Sequence, residues 1–244
     1  MSNLKHTEAI VLAGGFGTRL RTVLPDLPKC MAPIHGKPFL EAMLTYLWAE
    51  GIEHIVLSLG YRQQVIVEYI RTHHADRSIR WVVEDEPLGT GGAIALALEE
   101  TSGPAVYVLN GDTFFDARLK ALEKFHKQHE ADLSIVVKHM DDASRYGTVH
   151  VDPDGRIRQF SEKAAGASGL INGGVYLVER SRFPVRSMPR KFSFERDFLS
   201  VEPLAGRRFA QQQDAYFIDI GVPADYERAQ REWTVFFPEA QRGY

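Results

Sequence analysis

Leu12-Ala13-Gly14-Gly15-Phe16-Gly17-Thr18-Arg19-Leu20, followed by Pro28-Lys29 and Pro33, decides how this chain is read. The stretch comes directly after Glu8-Ala9-Ile10-Val11, a short apolar run that predicts a buried strand. Three glycines at the carboxyl end of a strand let backbone N–H groups approach a guest with no Cβ in the way. Such groups form a concave anion site, and Arg19 and Lys29 add two positive charges to it. A triphosphate suits that site.

Two phosphate loops are excluded. The nucleotide-hydrolase loop requires Gly-x-x-x-x-Gly-Lys-Ser/Thr, which this segment does not supply. The dinucleotide fingerprint requires a third glycine where Leu20 stands. No acidic ribose-binding residue follows at the right place either, because Glu41 opens a helix and does not end a second strand.

Outward from the glycines, strand-like and helix-like runs alternate. Phe39, Leu40, Met43, Leu44, Leu47 and Trp48 recur at helical spacing and stop near Gly51. Ile55–Leu59 predicts a strand, Val65, Ile66 and Tyr69 a second helix, Trp81–Val83 a third strand and Gly91–Glu100 a third helix. Ala105–Leu109 predicts a fourth strand that stops at Asn110-Gly111-Asp112, with another helix expected near Phe115. The alternation implies right-handed crossovers and a mostly parallel sheet. In the second half Leu133–Val137, Gly147–Val151 and Gly174–Val178 read as strands, and Asp152-Pro153-Asp154-Gly155 as a hairpin-like turn.

Composition narrows the classes. At 244 residues the chain suits one large domain over 1–244, and no repeat or clear linker divides it. A net charge of −3 argues against a broad nucleic-acid surface. The single Cys30 excludes an intramolecular disulfide and a cysteine-rich metal site. No apolar run approaches membrane-spanning length and the start lacks a secretory core, so no membrane insertion is expected and the cytoplasm is the default location. The nine histidines offer no convincing ligand set, and His126-x-x-His129 is expected on an exposed helix.

The Leu-Ala-Gly-Gly-x-Gly-Thr-Arg-Leu motif with its Pro-Lys follow-up resembles the sugar-1-phosphate nucleotidyltransferases, from Ala9 to about Tyr226. The resemblance implies a Rossmann-like three-layer α/β/α fold with a predominantly parallel mixed central sheet. It implies an enzyme that joins a nucleoside triphosphate to a sugar 1-phosphate and releases pyrophosphate, making a nucleotide sugar for bacterial surface polysaccharide. The carboxyl-terminal β-helix domain of longer members is not expected within residues 1–244.

The resemblance also distributes roles. Arg19 would stabilise the β,γ-phosphates and Lys29 would hold phosphates near the point of attack. Leu12, Ala13, Gly14, Gly15, Gly17, Thr18, Gly89 and Thr90 would contact the nucleotide. Asp112 and Asp219 match the pair that holds Mg2+, an ion that prefers oxygen ligands. From the residues alone Asp112 is equally readable as a helix cap. Lys163 would hold the sugar phosphate, and Tyr146, Gly147, Glu162 and Asn172 match the segments used for sugar hydroxyls. Gly147 is also readable as a strand end.

Base choice is placed in Glu84-Asp85-Glu86-Pro87-Leu88-Gly89-Thr90, whose Pro-Leu-Gly-Thr resembles the guanylyl branch. Guanine presents N1–H and N2–H₂ donors on one edge, which a carboxylate at Glu84 accepts together. Uracil presents carbonyls and meets repulsion there. A solvent-exposed acidic loop is the competing reading. GTP and a sugar 1-phosphate are therefore the expected partners, with a heptose suggested by overall similarity and by no single residue. A uridylyltransferase acting on an amino-sugar phosphate and a non-catalytic nucleotide-sugar sensor stay as alternatives. Ser193-Phe194-Glu195 reads as a helix start near the sugar site. The aromatic tail Trp233–Phe237 has two open fates, packing on the body or on a second subunit of a homodimer.

Overall fold

The apolar run ahead of the glycines forms strand β1 (Glu8–Leu12) at the middle of a nine-stranded sheet. The computed structural model describes residues 6–15, 17, 20, 23–161, 168–184, 187–200 and 206–236. Ala9 and Val11 of β1 face one apolar cluster and Ile10 faces another, as the two-residue period of a strand dictates. Both faces are covered, so β1 carries no polar residue in its interior.

The first half follows the expected alternation. After the short hairpin β2 (Pro33–Ile34) and β3 (Lys37–Pro38) come α1 (Phe39–Glu50), β4 (His54–Leu59), α2 (Gln63–His73), β5 (Ile79–Val83), α3 (Gly89–Leu98) and β6 (Ala105–Asn110). Gly51 ends α1 in the left-handed region at φ 98°. The third helix lies two residues earlier than expected. Thr101 stops it by returning its hydroxyl to the Leu98 carbonyl at 2.8 Å. Strands β5, β4, β1 and β6 are neighbours in that order and all parallel.

The remaining elements are β7 (Thr113–Phe115), α4 (Leu119–Gln128), β8 (Leu133–Met140), β9 (Thr148–Val151), β10 (Ile157–Ser161), β11 (Gly169–Glu179), a π-helical turn (Phe194–Leu199), β12 (Arg208–Gln212), β13 (Phe217–Asp219), α5 (Pro223–Arg231) and α6 (Trp233–Phe236). Strand β11 pairs antiparallel with β6, β8 and β9, which makes the sheet mixed beyond its parallel half. Helices α1, α2, α4 and α5 supply buried residues to one face, and α3 with the π-helical turn to the other. This is the three-layer α/β/α arrangement.

Two local expectations are corrected, and the packing of part of the tail is now seen. No helix begins near Phe115: Thr113–Phe115 is a strand that pairs with β13. Extended backbone buries two consecutive phenylalanines in different surroundings, Phe114 against Tyr46 and Phe236, and Phe115 against Phe217. The helix α4 begins only at Leu119. His126 is not exposed either: it stands on the inner face of α4 with Leu119 and Leu122, 4% accessible, and bonds Ser134 Oγ at 2.8 Å. Finally, within the tail, Phe236 packs on the body. Phe236 is buried edge-on against Phe39, Phe114 and Tyr216. Among the described residues no helix is long and apolar enough to cross a membrane.

Candidate functional site

In an open α/β sheet the ligand crevice lies at the carboxyl ends of the strands. Here the register aligns those ends: Leu12 stands beside Ser58 on one side and Asn110 on the other, and Leu59 beside Val83. Backbone bonds stitch the loops that follow. Ala13 N donates to Ser58 O at 2.8 Å, Gly111 N to Leu12 O at 2.9 Å and Glu84 N to Leu59 O at 2.9 Å. Gly14 is squeezed between these loops. A Cβ on it would lie 2.9 Å from Glu84 Oε1 and 3.2 Å from Gly60 N, so a side chain there would displace the Glu84 carboxylate and press on the Gly60 backbone.

Two adjoining cavities open there and share Leu12, Gly15 and Asp112. The smaller, about 190 Å³, is lined by Ala13, Gly15, Gly17, Lys29, Gly111, Asp112 and Gly221. The larger, about 480 Å³, carries Gly14, Glu84, Gly89, Thr90, Asn110 and Glu195 in its wall. Leu12, Ala13, Gly14, Gly15, Gly17, Lys29, Glu84, Gly89, Thr90 and Asp112 are therefore gathered at one crevice.

The charged centre is built by the pairing that replaced the expected helix. Asp219 lies opposite Thr113 in the β13–β7 ladder, and Ile220 N donates to Asp112 O at 3.0 Å. Both carboxylates then meet Lys29, whose Nζ is 2.6 Å from Asp112 Oδ2 and 3.4 Å from Asp219 Oδ1. Asp112 does not cap a helix, since the next residues are extended. Gly221 N donates to Asp219 Oδ1 at 2.7 Å. A Cβ at Gly221 would come within 2.6 Å of Lys29 Nζ. Burial, then the neighbouring Asp112 charge, push the Asp219 carboxyl above its ordinary value, while Lys29 opposes them. Two carboxylates around one ammonium leave a net negative charge on an all-oxygen donor set, which suits a hard divalent cation. Among the described residues no third carboxylate, histidine or cysteine completes a ligand cluster. Cys30, beside Lys29, is buried and its thiol is pushed up to about 12, chiefly by that burial.

At the other end of the crevice Glu84 is half-buried, which holds its carboxyl above the usual value. Its Oε2 accepts from Leu88 N at 2.8 Å. The buried Ser58 hydroxyl makes no hydrogen bond of standard geometry, yet it lies near enough to favour the charged form of Glu84. Glu84 is thus part of a cavity wall and not of a solvated acidic loop. Asp85, Glu86 and Pro87 beside it are exposed.

Of the residues expected on the sugar side, Asn172 sits on β11 and Tyr146 and Gly147 in the loop before β9. Asn172 N donates to Gly147 O at 2.8 Å and ties the two segments together. The Asn172 amide is engaged within a bulge of β11: its oxygen accepts from Gly174 N at 3.0 Å and its NH₂ donates to the Tyr176 hydroxyl at 2.7 Å. Tyr146 packs edge-on against Phe217, which leads into Asp219. Thr18, Arg19, Glu162 and Lys163 lie outside the described residues.

Among the features of the crevice that the sequence did not single out, two stand apart. Asn110, the last residue of β6, lines the larger cavity, and only its place at a strand end could have flagged it. The peptide carbonyl of Phe192 accepts from Gly91 N at 3.0 Å and Gly92 N at 3.4 Å and so covers the start of α3. No side-chain pattern announces such a contact.

A family model described as nucleotidyl transferase matches residues 8–234. D-glycero-alpha-D-manno-heptose 1-phosphate guanylyltransferase of Aneurinibacillus thermoaerophilus is 45% identical over 225 residues, 92% of this chain and 97% of that protein. Its namesake from Campylobacter jejuni is 45% identical over 219 residues, 90% of this chain and 96% of the relative. The crystal structure of HddC from Yersinia pseudotuberculosis complexed with GMP-PN is 37% identical, with a TM-score of 0.83 over 93% of this chain and 99% of that one.

Proposed function

The chain belongs to the nucleotidyl transferase family, and from that premise we propose that it transfers the guanylyl group of GTP to D-glycero-α-D-manno-heptose 1-phosphate. An oxygen of the sugar phosphate attacks the α-phosphorus of GTP. The bond from that phosphorus to the bridging oxygen of the β-phosphate breaks, and pyrophosphate leaves with the electron pair. The products are GDP-heptose and pyrophosphate. No protein nucleophile takes part, so positioning and charge neutralisation carry the chemistry.

The observation that supports this most directly is the convergence of Lys29, Asp112 and Asp219 beside the glycine turn, with Glu84 in the wall of the adjoining cavity. The glycine turn lets phosphates approach the backbone at Gly15 and Gly17, and Lys29 contributes a fixed positive charge there. Glu84 accepts the guanine N1–H and N2–H₂ donors. Asp112 and Asp219 would hold Mg2+, which when bound neutralises charge on the transferred phosphate. Arg19 and Lys163 complete the phosphate contacts in this reading, and Tyr146, Gly147, Glu162 and Asn172 the sugar side.

The test offers purified protein, with magnesium, GTP, UTP, dTTP, CTP and ATP against heptose, mannose and glucose 1-phosphates while pyrophosphate release is recorded. GTP with the heptose phosphate should give the highest kcat/KM, and chelation of divalent ions should stop turnover. Preference for UTP overturns the role of Glu84. No turnover in any combination, with tight binding of GDP-heptose, would identify a sensor in place of an enzyme.

A further inference from the structure

Arg208 opens β12 on the face that meets the apolar cluster under α3. It shares that face with Ala210, as the two-residue period of a strand requires. Leu133 and Val178 of the same cluster stand beside it in one row across β8 and β11. The residue is 6% accessible, and an arginine is rarely buried so far unless it is paired. Among the described residues no carboxylate forms an ion pair with it. Its Nη1 donates to Phe198 O at 2.8 Å, and the guanidinium lies over the Phe198 ring, 4.0 Å from the centroid. A guanidinium carries several more N–H donors than the one that this carbonyl takes. Burial pulls its pKa below the ordinary value, and the more distant Asp132 opposes that pull.

Arg208 lines a cavity of about 410 Å³ whose apolar wall is made by Leu133, Val178, Phe183, Met188 and Phe198. This cavity shares no lining residue with the two that form the crevice. The π-helical turn contributes to both sides: Glu195 lines the crevice, and Asp197 and Phe198 line this cavity. Two carboxylates in the wall already have their partners. Asp197 accepts from Arg196 Nε at 2.8 Å, from Arg196 Nη2 at 3.0 Å and from Ser193 N at 2.8 Å. Asp132 accepts from Arg207 N at 2.9 Å and Arg207 Nη2 at 3.4 Å, with Arg182 Nε 3.8 Å away. Each acid therefore has a cation, while Arg208 has no anion among the described residues. The guest that fits carries one negative charge, because the two wall carboxylates repel a dianion. Its charged end is a pair of oxygens in one plane, the shape that a guanidinium fork receives. Its body is apolar, to suit the rings and aliphatic side chains around it.

We propose that this cavity is a binding site for a small organic monocarboxylate, with the carboxylate on Arg208 and the apolar body against Phe183, Leu133 and Val178. The site is separate from the nucleotide crevice and does not depend on which nucleotide or sugar the crevice takes. An occupant touches Phe183 and Phe198, whose rings stack on Phe194 at 5.8 and 5.4 Å. It thus bears on the π-helical turn, whose Glu195 accepts from Thr90 Oγ1 at the crevice.

Ligand-observed NMR titration tests it, with benzoate and isovalerate as probes and with neutral benzamide and inorganic phosphate as controls. The unaltered protein is compared with Arg208→Gln and Ser187→Trp. Ser187 is exposed and lines the cavity, so an indole there obstructs it and guards against a folding failure of the Arg208 variant. At least one of the two carboxylates should saturate the unaltered protein at millimolar concentration. Each substitution should weaken that carboxylate by about tenfold or more, through the loss of a bond to a charged group in one and of space in the other. Benzamide and phosphate should bind the unaltered protein about tenfold more weakly than the carboxylate does. Three results overturn the assignment: neither carboxylate binds, a folded variant binds it undiminished, or benzamide or phosphate binds as tightly. All three leave the guanylyl reading standing.

Discussion

Glu84→Gln is the most informative single substitution. In the native crevice Leu88 N–H is bonded to Oε2 of Glu84, and Oε1 stands near Gly14 at the cavity wall. A glutamine keeps one oxygen for Leu88 and turns an NH₂ toward the guest. Two guanine donors that met a carboxylate then meet a donor. Each hydrogen bond to a charged group contributes about 1.5–3 kcal/mol. Loss of one lowers the GTP-over-UTP ratio of kcat/KM by about tenfold to a hundredfold. Competition assays at fixed pH read that ratio directly. A second arm uses pH. Burial holds the Glu84 carboxyl above its ordinary value, so the charged form, proposed to accept from guanine, is present above that raised pKa and disappears as pH falls through it. The KM for GTP should therefore climb on the acid side sooner than an exposed carboxylate would cause, and the glutamine variant should lack this limb. The raised pKa also means that the folded state binds this proton more tightly than the unfolded state. The ionised carboxylate thus disfavours folding at neutral pH, and the variant should melt no lower than the parent. A folded Glu84→Gln protein with undiminished preference for GTP would refute the reasoning.

Four further expectations follow from the packing and the charges. Asp112→Asn should cut turnover by about a hundredfold or more, because a charge aimed at the transferring group is removed; near-normal activity would strip Asp112 of its assigned role. Asp219→Asn should likewise lose activity yet melt higher than the parent at neutral pH. Its carboxyl is held above the ordinary value by burial and by Asp112, so the charged form costs stability above that pKa and the cost vanishes below it. A lower melting point at pH 7 would contradict that sign. Phe236→Ala should destabilise by about 3 kcal/mol in denaturant unfolding, since a buried aromatic leaves a cavity; an unchanged midpoint would mean that the tail is not held on the body. Burial holds the His126 imidazole below its ordinary value of about 6.5, so stability should decline as pH falls below that value, and His126→Gln should flatten the decline.

Much of the parallel half was legible because its signals are local. An apolar run followed by glycines, a helix stopped by Gly51 and a strand broken at Asn110-Gly111 each announce themselves within a dozen residues. The glycine turn, Lys29 and Asp112 could be expected at one crevice because strand ends in such a sheet converge. The margins were not legible. Strands β10 and β12 have solvent-facing Arg158, Gln159 and Gln212 in place of an apolar run, and the chain around Phe115 took its form from a partner strand. His126 looked like a surface residue because a satisfied buried imidazole has the same letter as an exposed one.

The residues alone specified an order of strands and helices, a glycine turn at a strand end and the kinds of charge near it, since propensity and periodicity act over short stretches of chain. Only the packed molecule settled which charges meet. Lys29 and Asp219 are separated by 190 positions, and Thr90 and Glu195 by 105. Each pair comes together through contacts made elsewhere, the β7–β13 ladder for one and the seating of the π-helical turn on α3 for the other. Side-chain contacts across such distances depend on where every intervening element is placed, and no local pattern carries that information.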